Sequence, residues 1–507
     1  MSRLPSRVLT VLTCIALLAL CACSDDGHNA SGTSGKSAST AAPGVTTTSR
    51  PSGPTAELST ELTGGQGVFM GEGTPPDLQG IGYAQHEFAA VGTAASYKAT
   101  TALTQDGQWQ FAPDTTAAYR TRVVVRAPAT AAAFHGTVIV EWLNVSGGLD
   151  ADPEWTTTSE EIVRAGDAWV GVSAQRIGVE GGPVLVKVSQ VPGAEQQGRG
   201  LKAIDPARYG SLQHPGDGYA FDIFSQVARA IRSGAGLNGL PVQRVIAAGE
   251  SQSAIALVTY INGVQPLTHA FDGFFVHSRG AAGLPLVGPG EYADLAGSIG
   301  GTPSAFRSDQ DAPVLDIQTE SDVTGFLDSY AARQPDSDRF RLWEVAGTAH
   351  ADAHLLGPIG GAIDCGVPIN NGAMHIVAKA ALRALAKWIT TGEAPVTAPR
   401  LDVTSDKSPQ ITRDEDGIAQ GGVRTPPVDA PVAALSGAPG PNPSTICLLL
   451  GSTVPLSDVR LAQLYPSRAE YLRQYEATAD ATIGAGFALP EDRAALLAFA
   501  DPTRLSG

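Results

Sequence analysis

Cysteine is scarce in this chain: five residues in 507, two of which, Cys14 and Cys21, fall in the first 22 positions. That leaves room for one structural pair and excludes a framework built on many disulfides. Positive charge is also short, with 34 Lys and Arg against 50 Asp and Glu and a formal charge of -16. Such a surface repels phosphate backbones, so no nucleic-acid partner is expected. No internal repeat is present, which sets aside folds made by stacking one unit. What the chain does have is 43% hydrophobic residues with only 17% charged, enough to bury a large core, and 58 Gly with 35 Pro, which imply many turns.

The start of the chain reads as an export signal. Arg3 and Arg7 precede an apolar run at 8–20 that is too short to span a bilayer comfortably. The run ends in Leu20-Cys21-Ala22-Cys23, which resembles a bacterial lipobox, with 1–22 removed and Cys23 lipidated. An ordinary secretory peptide cut nearby is the alternative. Either reading exports the protein, as a cell-membrane lipoprotein facing the extracytoplasmic side or as a secreted enzyme. Residues 23–57 are rich in Ser, Thr, Gly, Ala and Pro and cannot bury enough surface to order themselves, so they form a tether. Gly32 to Ser37 in that tether looks like a phosphate loop, but Ala30 stands where its first Gly is needed and no strand precedes it. No cofactor is expected. Of the cysteines outside the leader and Cys23, only Cys365 and Cys447 remain, and in an oxidising compartment they favour a disulfide over a free buried pair.

From 58 to 507 short apolar runs alternate with helical patterns, which predicts an α/β domain with a mostly parallel sheet covered by helices. Strands are expected at 119–126, 137–145, 168–173, 242–247, 271–277, 313–319 and 340–345, and amphipathic helices at 219–233 and 374–391. The catalytic core is placed at about 119–392 and a C-terminal extension at about 393–507. Two irregular Gly- and Pro-rich stretches, 176–216 and 280–312, are candidate caps over a pocket.

The run 242–247 leads directly into Gly249-Glu250-Ser251-Gln252-Ser253 and then a helical stretch. Strand, sharp turn and helix are the context a nucleophilic serine needs, with small residues two before and two after it so that strand and helix can approach. Gly249 supplies the first; Ser253 replaces the second Gly of G-x-S-x-G. Farther on, 313–319 ends in Glu320-Ser321-Asp322, and 340–345 is followed by Gly347-Thr348-Ala349-His350. Serine, acid and histidine thus follow three strands in the order of the α/β hydrolases, and parallel strands bring all three loops to one sheet edge. Ser251 is the expected nucleophile and His350 its base. Asp322 is the expected acid, with Glu320 as the alternative. The oxyanion should meet the backbone N–H of Gln252 and an amide of the loop 143–148, for which Asn144 is the named candidate.

The segments 140–148 (VEWLNVSGG), 214–226 (HPGDGYAFDIFSQ), 249–254 (GESQSA), 318–323 (QTESDV) and 344–352 (EVAGTAHAD) together resemble the secreted bacterial alpha/beta hydrolase domain family. The resemblance runs from about residue 60 to about 500. It implies an α/β-hydrolase fold with serine-dependent acyl hydrolysis, a carboxylesterase-like activity on a small-molecule or lipid-like ester; Ser253 for Gly is the departure.

Competing readings remain open. An acyltransferase would use the same triad. His350, Asp352 and His354 have a spacing that could suggest a metal site, although no third ligand beyond such a pair is evident, so no metal is assigned. A catalytically inactive surface-binding protein on a hydrolase scaffold is the non-enzyme alternative. His214, His277 and His375 are read as structural. Asn144-Val145-Ser146 matches a glycosylation sequon by chance, and Asp217 is read as the N-cap of the helix at 219.

Overall fold

The computed structural model describes residues 52–71, 76–189, 191–404 and 407–505. The expected export signal, Cys23 and most of the expected tether lie outside them. The described chain is built on a nine-stranded sheet: β1 (Glu57–Glu61), β2 (Tyr83–Ala99), β3 (Phe111–Pro128), β4 (Thr137–Trp142), β5 (Ala168–Val172), β6 (Arg244–Glu250), β7 (Gly273–His277), β8 (Val314–Thr319) and β9 (Phe340–Val345). Their order across the sheet is β1-β2-β3-β5-β4-β6-β7-β8-β9. The six strands from β5 to β9 in that order pair in parallel, while β1, β2 and β3 join antiparallel at one edge.

Parallel strands covered on both faces read as unbroken apolar runs, and β4 is buried at all six positions. Its side chains divide by the two-residue period: Val138, Val140 and Trp142 enter one core, Ile139 the other. The first core takes the helix Ala220–Arg232, whose Phe221 and Phe224 lie 5.5 and 5.1 Å from Trp142 between ring centres. Each such aromatic or aliphatic side chain is worth about 1.5–3 kcal/mol when buried. The second core takes the helices Pro153–Arg164 and Met374–Thr391, the latter stopping at Gly392 in the left-handed region (φ 76°).

All seven expected strands are present, with shifted ends. Residues 143–145 leave β4 and turn into a loop, whereas β3 starts eight residues before the expected 119. The sequence pattern did not announce β2. Its Ala-rich stretch has little intrinsic β preference, and long-range pairing with β3 holds it as a strand.

From β4 the chain passes to β5 on one side and then returns to β6 on the other. The carboxyl ends of β4 and β6 therefore flank a switch point, where open α/β sheets form their ligand crevice. Asp217 does not cap a helix, contrary to the reading from sequence. Its buried carboxylate needs donors and finds them in the N–H of Arg176 (2.7 Å) and of Ala293 (2.8 Å), one from each candidate cap segment.

The C-terminal extension closes the far edge of the sheet. Val423 N–H donates to Glu344 O, and Ala346 N–H donates back to Val423 O, so the edge strand β9 is covered. A two-stranded sheet, β10 (Ala433–Ser436) with β11 (Ser452–Pro455), and the helix Arg468–Gly484 complete the extension. Cys365 and Cys447 form a disulfide with Cα atoms 5.5 Å apart, tying the region after His350 to the extension. No helix among the described residues is long and apolar enough to cross a membrane.

Candidate active site

Ser251 sits between β6 and the helix Gln252–Thr259 with φ 61° and ψ −120°, a conformation that side chains rarely adopt. The turn is held from outside: its N–H donates to His277 O at 2.9 Å. It also needs close approach of strand and helix. A Cβ on Gly249 would stand 3.0 Å from Ser253, so the small residues expected at both positions are required by contact.

His350 reaches Ser251 because β9 ends in a tight turn. Gly347 adopts φ 72°, and a Cβ there would meet Val428 at 2.4 Å. Thr348 Oγ1 donates to Val345 O, and His350 N–H donates to Ser321 Oγ at 2.7 Å, which fixes the imidazole. Its Nε2 lies 2.8 Å from Ser251 Oγ and its Nδ1 lies 2.7 Å from Asp322 Oδ1. The other oxygen of Asp322 accepts from Thr319 N–H, Thr319 Oγ1 and Ser278 Oγ at 2.6–2.7 Å. Burial alone would push this carboxyl up, but the His350 imidazole and these donors hold it below the usual carboxylate range.

Glu320 points elsewhere. It accepts from Gly347 N–H (2.6 Å), Gly437 N–H (3.0 Å) and Arg413 (2.7 Å), so it anchors the histidine turn and the extension. The residue that sequence reading missed is Glu250, inside the Gly249–Ser253 turn itself. Its Oε1 lies 3.4 Å from His350 Nε2. Burial raises its carboxyl to about 7 although His350 and His277 oppose this. His350 is in turn lifted to about 9: burial lowers it, but Glu250 and Asp322 more than compensate. His277, read as structural, stands behind the nucleophile turn with Nδ1 3.4 Å from Glu154 Oε1. His214 is held by Ala174 O and Gly216 N–H.

The oxyanion loop corrects one expectation. Asn144 N–H is spent on Ala151 O, and its side-chain amide donates to Glu250 O at 3.0 Å. Asn144 therefore ties the loop to β6, and its backbone amide is spent. Val145 N–H donates to Gln252 Oε1, and Ser146 N–H donates to Asn144 Oδ1. Gln252 N–H is the first amide of its helix, a position with no intrahelical acceptor, and Ser146 is the loop residue that lines the recess beside Ser251.

His350 commits both ring nitrogens to Ser251 and Asp322, while His354 stacks on His375 at 3.7 Å between ring centres. Among the described residues no group of three His, Cys, Asp or Glu is placed to hold a metal ion.

Comparison with solved structures found distant likenesses. A serine hydrolase without lid from Xanthomonas campestris is 14% identical, with 50% of this chain and 83% of that one covered and a TM-score of 0.27. A cold-adapted esterase from an Arctic intertidal metagenomic library is 11% identical over 51% and 84%, at 0.27. One of two fungal esterases from Rhizomucor miehei is 12% identical over 60% and 86%, at 0.29. A search of curated proteins found no match. A family profile described as "Alpha/beta hydrolase domain" matches residues 46–498, nearly the whole of the described fold, and the chain belongs to that alpha/beta hydrolase family.

Proposed function

We propose that this protein is a serine hydrolase that cleaves a carboxylic ester through an acyl-enzyme on Ser251. The observation that carries this is the unbroken path Ser251 Oγ, His350 Nε2, His350 Nδ1, Asp322 Oδ1, with both contacts at 2.7–2.8 Å. A serine hydroxyl is a poor nucleophile until a base takes its proton. His350 takes it as Oγ attacks the carbonyl, and Asp322 holds the Nδ1–H tautomer and stabilises the imidazolium. The oxyanion is met by Gln252 N–H and by the Ser146 hydroxyl, which turns from Asn144 Oδ1 (2.6 Å) toward it. His350 then gives its proton to the leaving alcohol, and water repeats the sequence to free Ser251 and the acid.

Export and anchoring belong to the same proposal, on the strength of Arg3, Arg7, the apolar run at 8–20 and Cys23. The enzyme would then work at the outer face of the membrane on small-molecule or lipid-like esters. A fluorophosphonate probe, followed by peptide mapping, tests the mechanism. Labelling at Ser251, abolished with turnover in Ser251→Ala, is expected; undiminished turnover in that variant would discard the serine mechanism.

A further inference from the structure

Besides Ser146 and the segment from Ser251 to Ile255, the recess beside Ser251 is walled by four separate stretches of chain. Leu185 and Val186 come from 176–216, Leu295 and Ile299 from the helix Leu295–Ile299, Phe326 from the turn after Asp322, and Leu449 from the extension. Apart from Ser146, Ser251 and Gln252 every lining residue is apolar, and none is charged. The space is about 320 Å³ with its open mouth included, and its inner part is narrow. A narrow apolar recess favours a short, uncharged group over a long one.

Which half of an ester enters follows from the position of the base. His350 does not line the recess, although its Nε2 lies on Ser251 Oγ. The imidazole must hand its proton to the departing alcohol, so the alcohol lies on the His350 side. The carbonyl oxygen faces Gln252 N–H. The remaining substituent, the acyl chain, points into the recess.

The walls are pinned. Asp217 bonds the amides of Arg176 and Ala293, from the two segments that supply Leu185 and Leu295. Leu449 O accepts from Ala351 N–H at 3.1 Å, next to the base, and Cys447 two residues earlier is in the disulfide. We propose that the enzyme selects neutral esters with short acyl groups and tolerates larger alcohols. This rests on the serine-hydrolase reading of the same site. An acyl group bearing its own carboxylate would bury an unpaired charge there and is excluded.

Isomeric esters separate the two halves. Hexyl acetate and ethyl hexanoate have the same atoms, and kcat/KM should favour the acetate by at least about tenfold, since a single methylene in such a pocket is worth roughly 10–200-fold. Ile299→Ala and Leu449→Ala, each checked by thermal melting, should raise the ratio of butyrate to acetate turnover by about tenfold. Two variants on different segments guard against one failing to fold. A preference for ethyl hexanoate while fluorophosphonate still labels Ser251 would overturn the acyl assignment and leave the serine mechanism standing. No labelling and no turnover of any ester would sink both.

Discussion

The two sides of Ser251 are built in opposite ways. On the acid side every polar group is matched: Asp322 accepts four hydrogen bonds, and Ser321, Thr319 and Ser278 are all engaged. Behind the turn, among the described residues, the carboxylate of Glu154, Glu250 Oε1 and the ring of His277 have only long contacts, Glu154 with His277 and Glu250 with His350 at 3.4 Å, and Ser253 Oγ makes no hydrogen bond. Depth is equal on the two sides, yet Asp322 is held low and Glu250 is raised to about 7. Hydrogen-bond donors decide ionisation here, because burial penalises both carboxylates alike and only one is repaid.

The largest test of that contrast is Asp322→Asn. The amide keeps the shape but favours the wrong imidazole tautomer, so kcat should fall by about 10⁴, the size of the loss when the triad aspartate of a chymotrypsin-type protease becomes asparagine. Steady-state kinetics on a simple acetate ester checks it, with thermal melting to show the variant folded.

Glu250→Gln should act through pH instead of through kcat. His350 must be neutral to accept the serine proton. With its folded value lifted to about 9, turnover should climb as pH rises through about 9, because protonated His350 is inactive below that point. Removing the Glu250 charge 3.4 Å from Nε2 removes one cause of the lift, so the acid limb should move down by roughly 1–3 pH units. A pH profile of kcat/KM with an unmoved limb in Glu250→Gln would mean that Glu250 carries no charge when the enzyme works.

Glu320→Gln is a smaller perturbation. Its carboxylate holds Gly347 N–H, Gly437 N–H and Arg413, so the change should cost about 1–3 kcal/mol of stability. Turnover should fall less than tenfold at a temperature where the variant remains folded. A loss matching Asp322→Asn would make Glu320 part of the proton path.

The matched side was legible in the sequence and the unmatched side was not. Ser251, His350 and Asp322 each follow a β strand that its apolar run announces, and parallel strands can only carry such loops to one edge. Cys365 and Cys447 were legible by subtraction. Glu250 was hidden because its role depends on what lies beside it in space: His350 is 100 positions away, and nothing in a G-x-S motif marks the middle residue as buried. Asn144 was misjudged for a related reason. The loop does lie beside Ser251, but which of its amides is spent depends on hydrogen bonds to Ala151 and Glu250 that no local pattern encodes. Asp217 looked like a cap because it precedes a helix, and only the fold brings Arg176 and Ala293 to it. The strand β2 was missed on composition alone.

The smallest expected effect concerns Ser253, the departure from G-x-S-x-G. Its hydroxyl is fully buried in the first turn of the helix Gln252–Thr259 and has no partner among the described residues. A buried hydroxyl left unmatched costs about 1–3 kcal/mol, and alanine is also the better helix former. Ser253→Ala should therefore raise stability by about 1 kcal/mol, read as a higher melting temperature. Ser253→Gly, which restores the usual motif, removes the same hydroxyl but loses up to about 1 kcal/mol of helix propensity relative to alanine. It should melt below the alanine variant. Both replacements are smaller than serine, and the Ser253 atoms nearest a Cβ on Gly249 are its Cβ and backbone carbon, not its hydroxyl. If Ser253→Ala melts lower than the parent, the hydroxyl is satisfied in solution, and the unmatched character of this side of the nucleophile does not extend to Ser253.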